Sequence, residues 1–125
     1  MPRVLTVDDS RAIRQIVSKQ LAELGCETDE AEDGEKGLQR LEEVEFDLVL
    51  LDVTMPVMDG PATLMQLRQN VLTANIPVIF LTACEEASEL ARLRALGALG
   101  VIAKPFDPLT LAAAVRSCVQ MAGAD

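Results

Sequence analysis

Five polar side chains stand at positions where short apolar runs of the sequence end. In chain order they are two adjacent acids, a single acid, a hydroxyl and an amine: Asp8, Asp9, Asp52, Thr82 and Lys104. The preceding runs, 4–7, 48–51, 78–81 and 99–103, have the length of strands that are buried on both faces of a parallel sheet. Because parallel strands end at the same edge of a sheet, we expect the five groups to gather there.

The three acids indicate the kind of chemistry that this edge could perform. Two unit charges about 4 Å apart repel by about 4 kcal/mol at an effective dielectric constant of about 20. Asp8, Asp9 and Asp52 would therefore need a bound proton, a nearby lysine or a divalent cation to lie together. Oxygen ligands without His or Cys favour Mg²⁺ or Mn²⁺ over Zn²⁺. An acid cluster beside a lysine and a hydroxyl group indicates phosphoryl chemistry.

Asp52 is the predicted nucleophile, because it stands alone at the end of the central predicted strand. A carboxylate can accept a phosphoryl group as an acyl phosphate. Asp8 and Asp9 would hold the metal, directly or through water. Lys104 would pair with the phosphoryl oxygens, and Thr82 would hydrogen-bond one of them. A single acid at a strand end more often caps a turn or a helix, but five such groups together favour a functional site.

The composition of the chain excludes several classes of function. We expect a single domain over residues 1–125, with a net charge of −9 and only 2% aromatic residues. Nucleic-acid binders use basic surfaces and aromatic stacking platforms, so we predict no direct binding of nucleic acid. No apolar run could cross a bilayer and no secretory signal precedes Asp8, so we expect a cytoplasmic protein with no membrane contact.

Histidine is absent, and the three cysteines are far apart in the sequence. The lack of histidine excludes Ser-His and Cys-His catalysis and imidazole metal sites. Cys26, Cys84 and Cys118 form no C-x-x-C pair, so we expect neither a disulfide framework nor a thiolate zinc site. Any phosphohistidine that takes part in the chemistry must belong to another protein.

Five predicted strands alternate with five predicted helices along the chain. Ser10, Asp33 and Asp59 stand at expected helix N-caps. The apolar spacing predicts that Ile16 of the first helix and Val71 of the third lie on the faces that pack against the core. The second strand is the weakest of the five. This alternation predicts right-handed crossovers and an α/β fold with a doubly wound parallel sheet.

Four short motifs follow one another along the chain: Asp8-Asp9, the stretch 51–60 (Leu-Asp-Val-Thr-Met-Pro-Val-Met-Asp-Gly), Thr82-Ala83 and Lys104-Pro105-Phe106. In order and approximate spacing they resemble the receiver domain of two-component response regulators, the CheY-like family, over essentially the whole chain. The resemblance implies a flavodoxin-like, five-stranded parallel sheet in the order 2-1-3-4-5 with five helices. Strands 1 and 3 are then neighbours, which would bring the acids at their ends into one crevice.

The resemblance implies a phosphorylation switch and not an ordinary enzyme. A histidine kinase or a His-containing phosphotransfer protein would donate the phosphoryl group to Asp52. The chain would itself catalyse the transfer and would lose the group slowly. Mg²⁺ would be bound by Asp9, Asp52 and the backbone carbonyl of Thr54. The peptide bond between Lys104 and Pro105 is expected to be cis.

The resemblance also implies two surfaces for partners. Arg11 and Arg14 lie where partners of similar proteins dock. Thr82, moving toward the phosphoryl oxygens, would reshape the surface of helix 4, strand 5 and helix 5 for a protein partner or an output domain. There Val101 replaces the usual aromatic and Leu99 a usual polar residue. Helix 5 has apolar residues outside its buried stripe: Leu109, Ala112, Ala113 and Val119. We hypothesise a contact surface for dimerisation or output binding.

Two other functions stay open at this point. A haloacid-dehalogenase-like phosphatase also uses an acid at a strand end, but it expects a second acid two residues later, where this chain has Thr54. A receiver-shaped scaffold that is never phosphorylated would not need all five polar groups. We expect no output domain after helix 5. The chain is then either a stand-alone regulator or the receiver of a longer regulator or hybrid kinase.

Overall fold

The computed structural model describes residues 2–84, 86–104 and 107–122, with the backbone alone at residues 108 and 118–122. Five parallel strands form one sheet in the order β2-β1-β3-β4-β5. The strands are β1 Arg3–Val7, β2 Glu27–Ala31, β3 Leu48–Asp52, β4 Val78–Thr82 and β5 Gly100–Ala103. The helices are α1 Arg11–Glu23, α2 Gly34–Glu43, α3 Gly60–Gln69, α4 Ala87–Ala95 and α5 Pro108–Ala122. The predicted α/β fold, strand order and element alternation are confirmed.

Apolar side chains cover both faces of the sheet and form two separate cores. In β3, Val49 and Leu51 point into the core beneath α2, α3 and α4, while Leu48 and Leu50 point into the core beneath α1 and α5. Every residue of β3 is buried. Burial of one such side chain stabilises the fold by about 1.5–3 kcal/mol. The continuous apolar runs of the sequence are therefore explained by helices on both faces of the sheet.

The predicted caps start the helices that follow β1, β2 and β3. The side chains of Ser10, Asp33 and Asp59 accept hydrogen bonds from the backbone N–H three residues further on. A cap of this kind contributes about 1 kcal/mol. At Gly60 a Cβ atom would lie 2.5 Å from the carbonyl oxygen of Asp52. The first turn of α3 therefore packs directly against the end of β3, which only glycine permits.

Three sequence predictions about helix faces are wrong. Val71 is 88% exposed, because α3 ends at Gln69 and the side chain of Asn70 accepts a hydrogen bond from the Leu72 N–H. Ile16 is exposed because the next residue, Val17, is the one that faces the sheet. Ala112, predicted outside the buried stripe of α5, is buried with its neighbour Leu111. The Lys104–Pro105 bond and the side chain of Val119 lie outside the described residues.

Candidate functional site

The carboxylate of Asp8 is fully buried directly after β1 and is held by several hydrogen bonds. Its backbone N–H donates to the carbonyl of Ala31 (3.1 Å), which continues the ladder to β2 past the strand end. One carboxylate oxygen accepts from the Ser10 N–H at 2.8 Å, and the other accepts from Lys104 Nζ at 2.8 Å. Asp9, the next residue, is exposed.

Asp52 is the last residue of β3 and is 5% exposed. Its Oδ1 lies 3.0 Å from Lys104 Nζ and accepts a hydrogen bond from the Thr54 N–H at 3.4 Å. Because β1 and β3 are neighbours in the sheet, the same ammonium group also reaches Asp8. Lys104 therefore bridges the two buried carboxylates. Both need an opposite charge nearby because they are removed from water.

Three carboxylates converge at this edge of the sheet, as the sequence predicts. One oxygen from each of Asp8, Asp9 and Asp52 lies within 4.8 Å of the others. Two of these acids are buried and one is open to solvent. All the donors are oxygens, which suits a hard cation such as Mg²⁺ that keeps part of its water shell. The residues present therefore fit a divalent metal ion.

The electrostatics of Asp52 and Lys104 follow from their burial and their pairing. Burial raises the pKa of Asp52 from 3.8 to about 6; the hydrogen bond from Lys104 opposes this rise, and the charge of Asp8 adds to it. Burial alone would lower the pKa of Lys104, but its hydrogen bonds to Asp8 and Asp52 outweigh this effect and raise the pKa. The Lys104 ammonium group is therefore charged at neutral pH. The Asp52 carboxyl group, with a pKa of about 6, titrates not far below neutral pH.

Thr82 ends β4 beside the bridging lysine and is buried. Its carbonyl accepts a hydrogen bond from the Lys104 N–H at 2.7 Å, which ties the ends of β4 and β5 together. Its Oγ1 accepts from the Cys84 N–H at 3.0 Å, which leaves the hydroxyl proton available for donation. Thr54, two residues after Asp52, is exposed in the loop that follows β3.

The surface of α4, β5 and α5 has apolar residues that differ in their exposure. Val101 is half-buried and packs against the core beneath α4. Leu99, one residue before β5, is 44% exposed, and Leu109 at the start of α5 is 78% exposed. Ala113 is exposed as well. These residues supply exposed apolar side chains near α4, β5 and α5.

Arg14 has a contact at the site that the sequence did not predict. Its Nη1 donates to the carbonyl oxygen of Asp8 at 2.6 Å, and its Nε donates to Glu30 at 3.0 Å. The side chain is 13% exposed, so it is not a free docking residue, whereas Arg11 is exposed. The signal in the sequence is the position of Arg14, one helical turn after the cap residue Ser10. A side chain there can point back toward the end of β1.

In the described part of the chain, no helix combines the length and the apolar character needed to cross a membrane.

The family model of the response regulator receiver domain matches residues 4–116. The DNA-binding dual master transcriptional regulator RpaA of Synechocystis is 36% identical over 120 residues, 96% of this chain and 50% of that protein. The transcriptional activator protein IrlR of Burkholderia pseudomallei is 39% identical over 118 residues, 94% of this chain and 50% of that protein. The chain therefore spans about half the length of these curated relatives.

Solved structures of similar proteins have the same fold. The chemotaxis protein CheY4 of Vibrio cholerae is 36% identical, with a TM-score of 0.88 over 94% of this chain and 98% of that one. The receiver domain of a Francisella response regulator is 29% identical, with a TM-score of 0.91 over 98% of this chain and 99% of that one.

Proposed function

The chain belongs to the response regulator receiver domain family, and we propose that it is a signalling switch that accepts a phosphoryl group on Asp52. Residues 1–125 would form one receiver domain. The donor is a histidine kinase or a His-containing phosphotransfer protein in the cytoplasm. Residues 1–125 contain no histidine, so the donor phosphohistidine must lie outside them.

The proposed transfer is a displacement at phosphorus. A carboxylate oxygen of Asp52 attacks the phosphorus atom of the donor phosphohistidine. A P–O bond forms while the P–N bond breaks, and the departing imidazole takes up a proton from solvent. Because burial raises the pKa of Asp52 to about 6, the carboxyl group is ionised in most molecules at pH 7, and the carboxylate can attack.

Lys104 and Thr82 would stabilise the charge of the phosphoryl group. Phosphorylation adds about −1.5 to −2 units of charge and strong acceptor oxygens. The Lys104 ammonium already lies 3.0 Å from Asp52, so it can pair with a phosphoryl oxygen on that residue. The Thr82 hydroxyl has its oxygen engaged by the Cys84 N–H and its proton available for another phosphoryl oxygen.

Mg²⁺ is the proposed metal, with Mn²⁺ as a substitute. Asp8, Asp9, Asp52 and the backbone carbonyl of Thr54 would hold it, directly or through water. The support for this is the convergence of three carboxylates within 4.8 Å. A bound divalent cation supplies positive charge to the phosphoryl oxygens during transfer. Removing it with a chelator should abolish phosphorylation and leave the fold intact.

The observation that carries the proposal is the Lys104 ammonium between two buried carboxylates, 2.8 Å from Asp8 and 3.0 Å from Asp52. A scaffold that is never phosphorylated would gain little from such a bridge, because a buried ion pair seldom stabilises more than apolar packing. A haloacid-dehalogenase-like phosphatase would need an acid in place of Thr54. Phosphoacceptor chemistry uses all the groups present.

Intact mass spectrometry tests the proposal directly. The protein is incubated with Mg²⁺ and a small acyl-phosphate donor, beside Asp52→Asn and beside a sample with chelator. We expect one added phosphoryl group in the wild type alone. A wild type that binds Mg²⁺ but gains no mass from this donor or from a phosphorylated phosphotransfer protein would refute the phosphoacceptor role.

The output is proposed to pass through the surface of α4, β5 and α5, to a partner, an output domain or a second copy. The exposed apolar side chains of Leu99 and Leu109 support this proposal. Light scattering with beryllofluoride and Mg²⁺, which mimic the phosphorylated state, should reveal association that Leu109→Gln weakens. Val71→Gln is the control, because Val71 is an exposed apolar residue that lies outside this surface. A monomer that captures no partner in either state would contradict the proposal.

Nucleic-acid binding by this chain itself is still predicted to be absent. The Synechocystis relative is named as a DNA-binding regulator, but this chain matches only 50% of that protein. The net charge of −9 opposes contact with phosphate backbones. A gel-shift experiment on genomic DNA fragments checks the prediction, and binding at physiological salt would overturn it.

A further inference from the structure

Arg14 of α1 holds a backbone group of the acid cluster without being part of it. Its Nη1 donates to the Asp8 carbonyl at 2.6 Å. This carbonyl lies one residue beyond the end of β1. A buried carbonyl at the end of a strand needs a partner, and here a guanidinium group from the neighbouring helix supplies one. Hydrogen bonds from charged donors are about twice as strong as neutral ones.

The contact matters for Asp9 more than for Asp8. The side chain of Asp8 is already fixed by the Ser10 N–H and by Lys104. Asp9 is exposed, and in the described part of the chain its carboxylate accepts no hydrogen bond. Its direction depends on the peptide group that joins it to Asp8. The oxygen of that peptide group is the atom that Arg14 holds.

Glu30 of the edge strand β2 orients the guanidinium group. Its Oε1 accepts from Arg14 Nε at 3.0 Å, and its Oε2 accepts from the Ser18 hydroxyl at 3.3 Å. The planar guanidinium group can donate to Glu30 and to the Asp8 carbonyl at the same time. A lysine offers a single nitrogen and cannot reproduce this fork.

We propose that Arg14, oriented by Glu30, is a positioning residue that fixes the Asp8–Asp9 peptide group and thereby sets the affinity of the acid cluster for a divalent cation. The inference rests on the proposed function for its cation. Residues that orient metal ligands typically contribute about 10- to 100-fold to metal affinity. Removal of Arg14 should therefore weaken Mg²⁺ binding by about tenfold.

The sign of the effect separates positioning from simple electrostatics. Arg14 is a cation near a cluster of acids, so the loss of its charge alone would strengthen Mg²⁺ binding. A positioning role predicts weaker binding. Arg11→Met is the matched control, because it removes the same charge from an exposed position of the same helix. This control should bind Mg²⁺ as the wild type does, or slightly more tightly.

The experiment measures the Kd for Mg²⁺ without a phosphoryl donor in the wild type, Arg14→Met, Arg14→Lys, Glu30→Gln and Arg11→Met. We expect Arg14→Met to bind about tenfold more weakly, with Arg14→Lys and Glu30→Gln between it and the wild type. Unchanged or tighter binding by Arg14→Met would overturn the proposal, as would equal weakening by Arg11→Met. If Arg14→Met does not fold, Arg14→Lys decides the matter, because it keeps the positive charge and loses only the fork: weaker Mg²⁺ binding supports positioning, and unchanged binding overturns it.

Amide hydrogen exchange in the metal-free protein gives an independent readout. Arg14→Met should speed exchange of the Ser10 N–H, which donates to Asp8, by about tenfold, and Arg11→Met should leave it unchanged. Equal exchange rates in all variants would contradict the positioning role. A wild type that binds no Mg²⁺ would refute the proposed metal site, while these exchange rates would still decide whether Arg14 holds the loop.

Discussion

Replacement of Asp52 by asparagine should stabilise the metal-free protein in a way that depends on pH. The buried carboxyl group has a pKa of about 6 in the folded chain, against 3.8 as its ordinary value. At about 1.4 kcal/mol per pKa unit, this difference corresponds to about 3 kcal/mol. The charged carboxylate thus costs the folded state about that much at neutral pH, whereas asparagine keeps a similar shape without the charge.

The sign follows from the protons bound in each state. Below pH 3.8 the Asp52 carboxyl group is protonated in both the folded and the unfolded chain. The stability that the uncharged form gives the folded chain, relative to the charged form, is then fully present. As the pH rises toward 6, the unfolded chain loses the proton first and the contribution declines. Above the folded pKa the contribution is lost. The unfolding free energy of the wild type minus that of Asp52→Asn should therefore decrease with pH and become constant above about pH 7.

Urea unfolding with chelator present measures this difference. The isoelectric point of about 4.4 makes pH 5 a practical lower limit. Between pH 5 and 7.5 the difference should decrease by about 1 kcal/mol. Glu42→Gln is the matched control, because it removes an acid from an exposed position of α2. A difference that is constant or that grows with pH would refute the assignment of the buried charge to Asp52.

Three further substitutions test the geometry of the site. Lys104→Met should destabilise the metal-free protein by about 3–5 kcal/mol, because it leaves two buried carboxylates unpaired, and Mg²⁺ should restore part of the loss in urea titrations. Gly60→Ala should cost more than about 1 kcal/mol and slow phosphorylation in the mass assay, because its Cβ would collide with the Asp52 carbonyl. Val57 has a φ of 71° and is 82% exposed, so Val57→Asn should raise stability by about 1 kcal/mol in urea titrations.

The sheet and the acid cluster are predictable from the sequence because they depend on local patterns. Each strand is a continuous apolar run with a polar residue at its end, and the alternation of strands and helices restricts the topology. Once β1 and β3 are neighbours, Asp8 and Asp52 must approach each other. The strand order that makes β1 and β3 neighbours came from the family resemblance, because the alternation of elements alone allows other orders.

The features that the sequence did not predict depend on choices among similar local patterns. Apolar spacing alone does not show that α3 ends at Gln69, because the competing hydrogen bond from the Leu72 N–H to Asn70 is a local side-chain contact. Nor does it show that Arg14 turns toward Asp8, since an arginine on the exposed half of a helix normally points into solvent. The pKa of Asp52 likewise depends on the depth of burial that only the assembled fold defines.

The contact of Lys104 with Asp8 has a consequence for the order of events during folding. The two residues are 96 positions apart, so they can meet only after nearly the whole chain has been brought into the sheet. Contacts of such long sequence separation form late and slow the folding of parallel sheets. A nascent or truncated chain without β5 would lack the bridging amine and leave the acids to repel one another. We therefore expect the proposed phosphoacceptor site to be complete only when the last strand has docked.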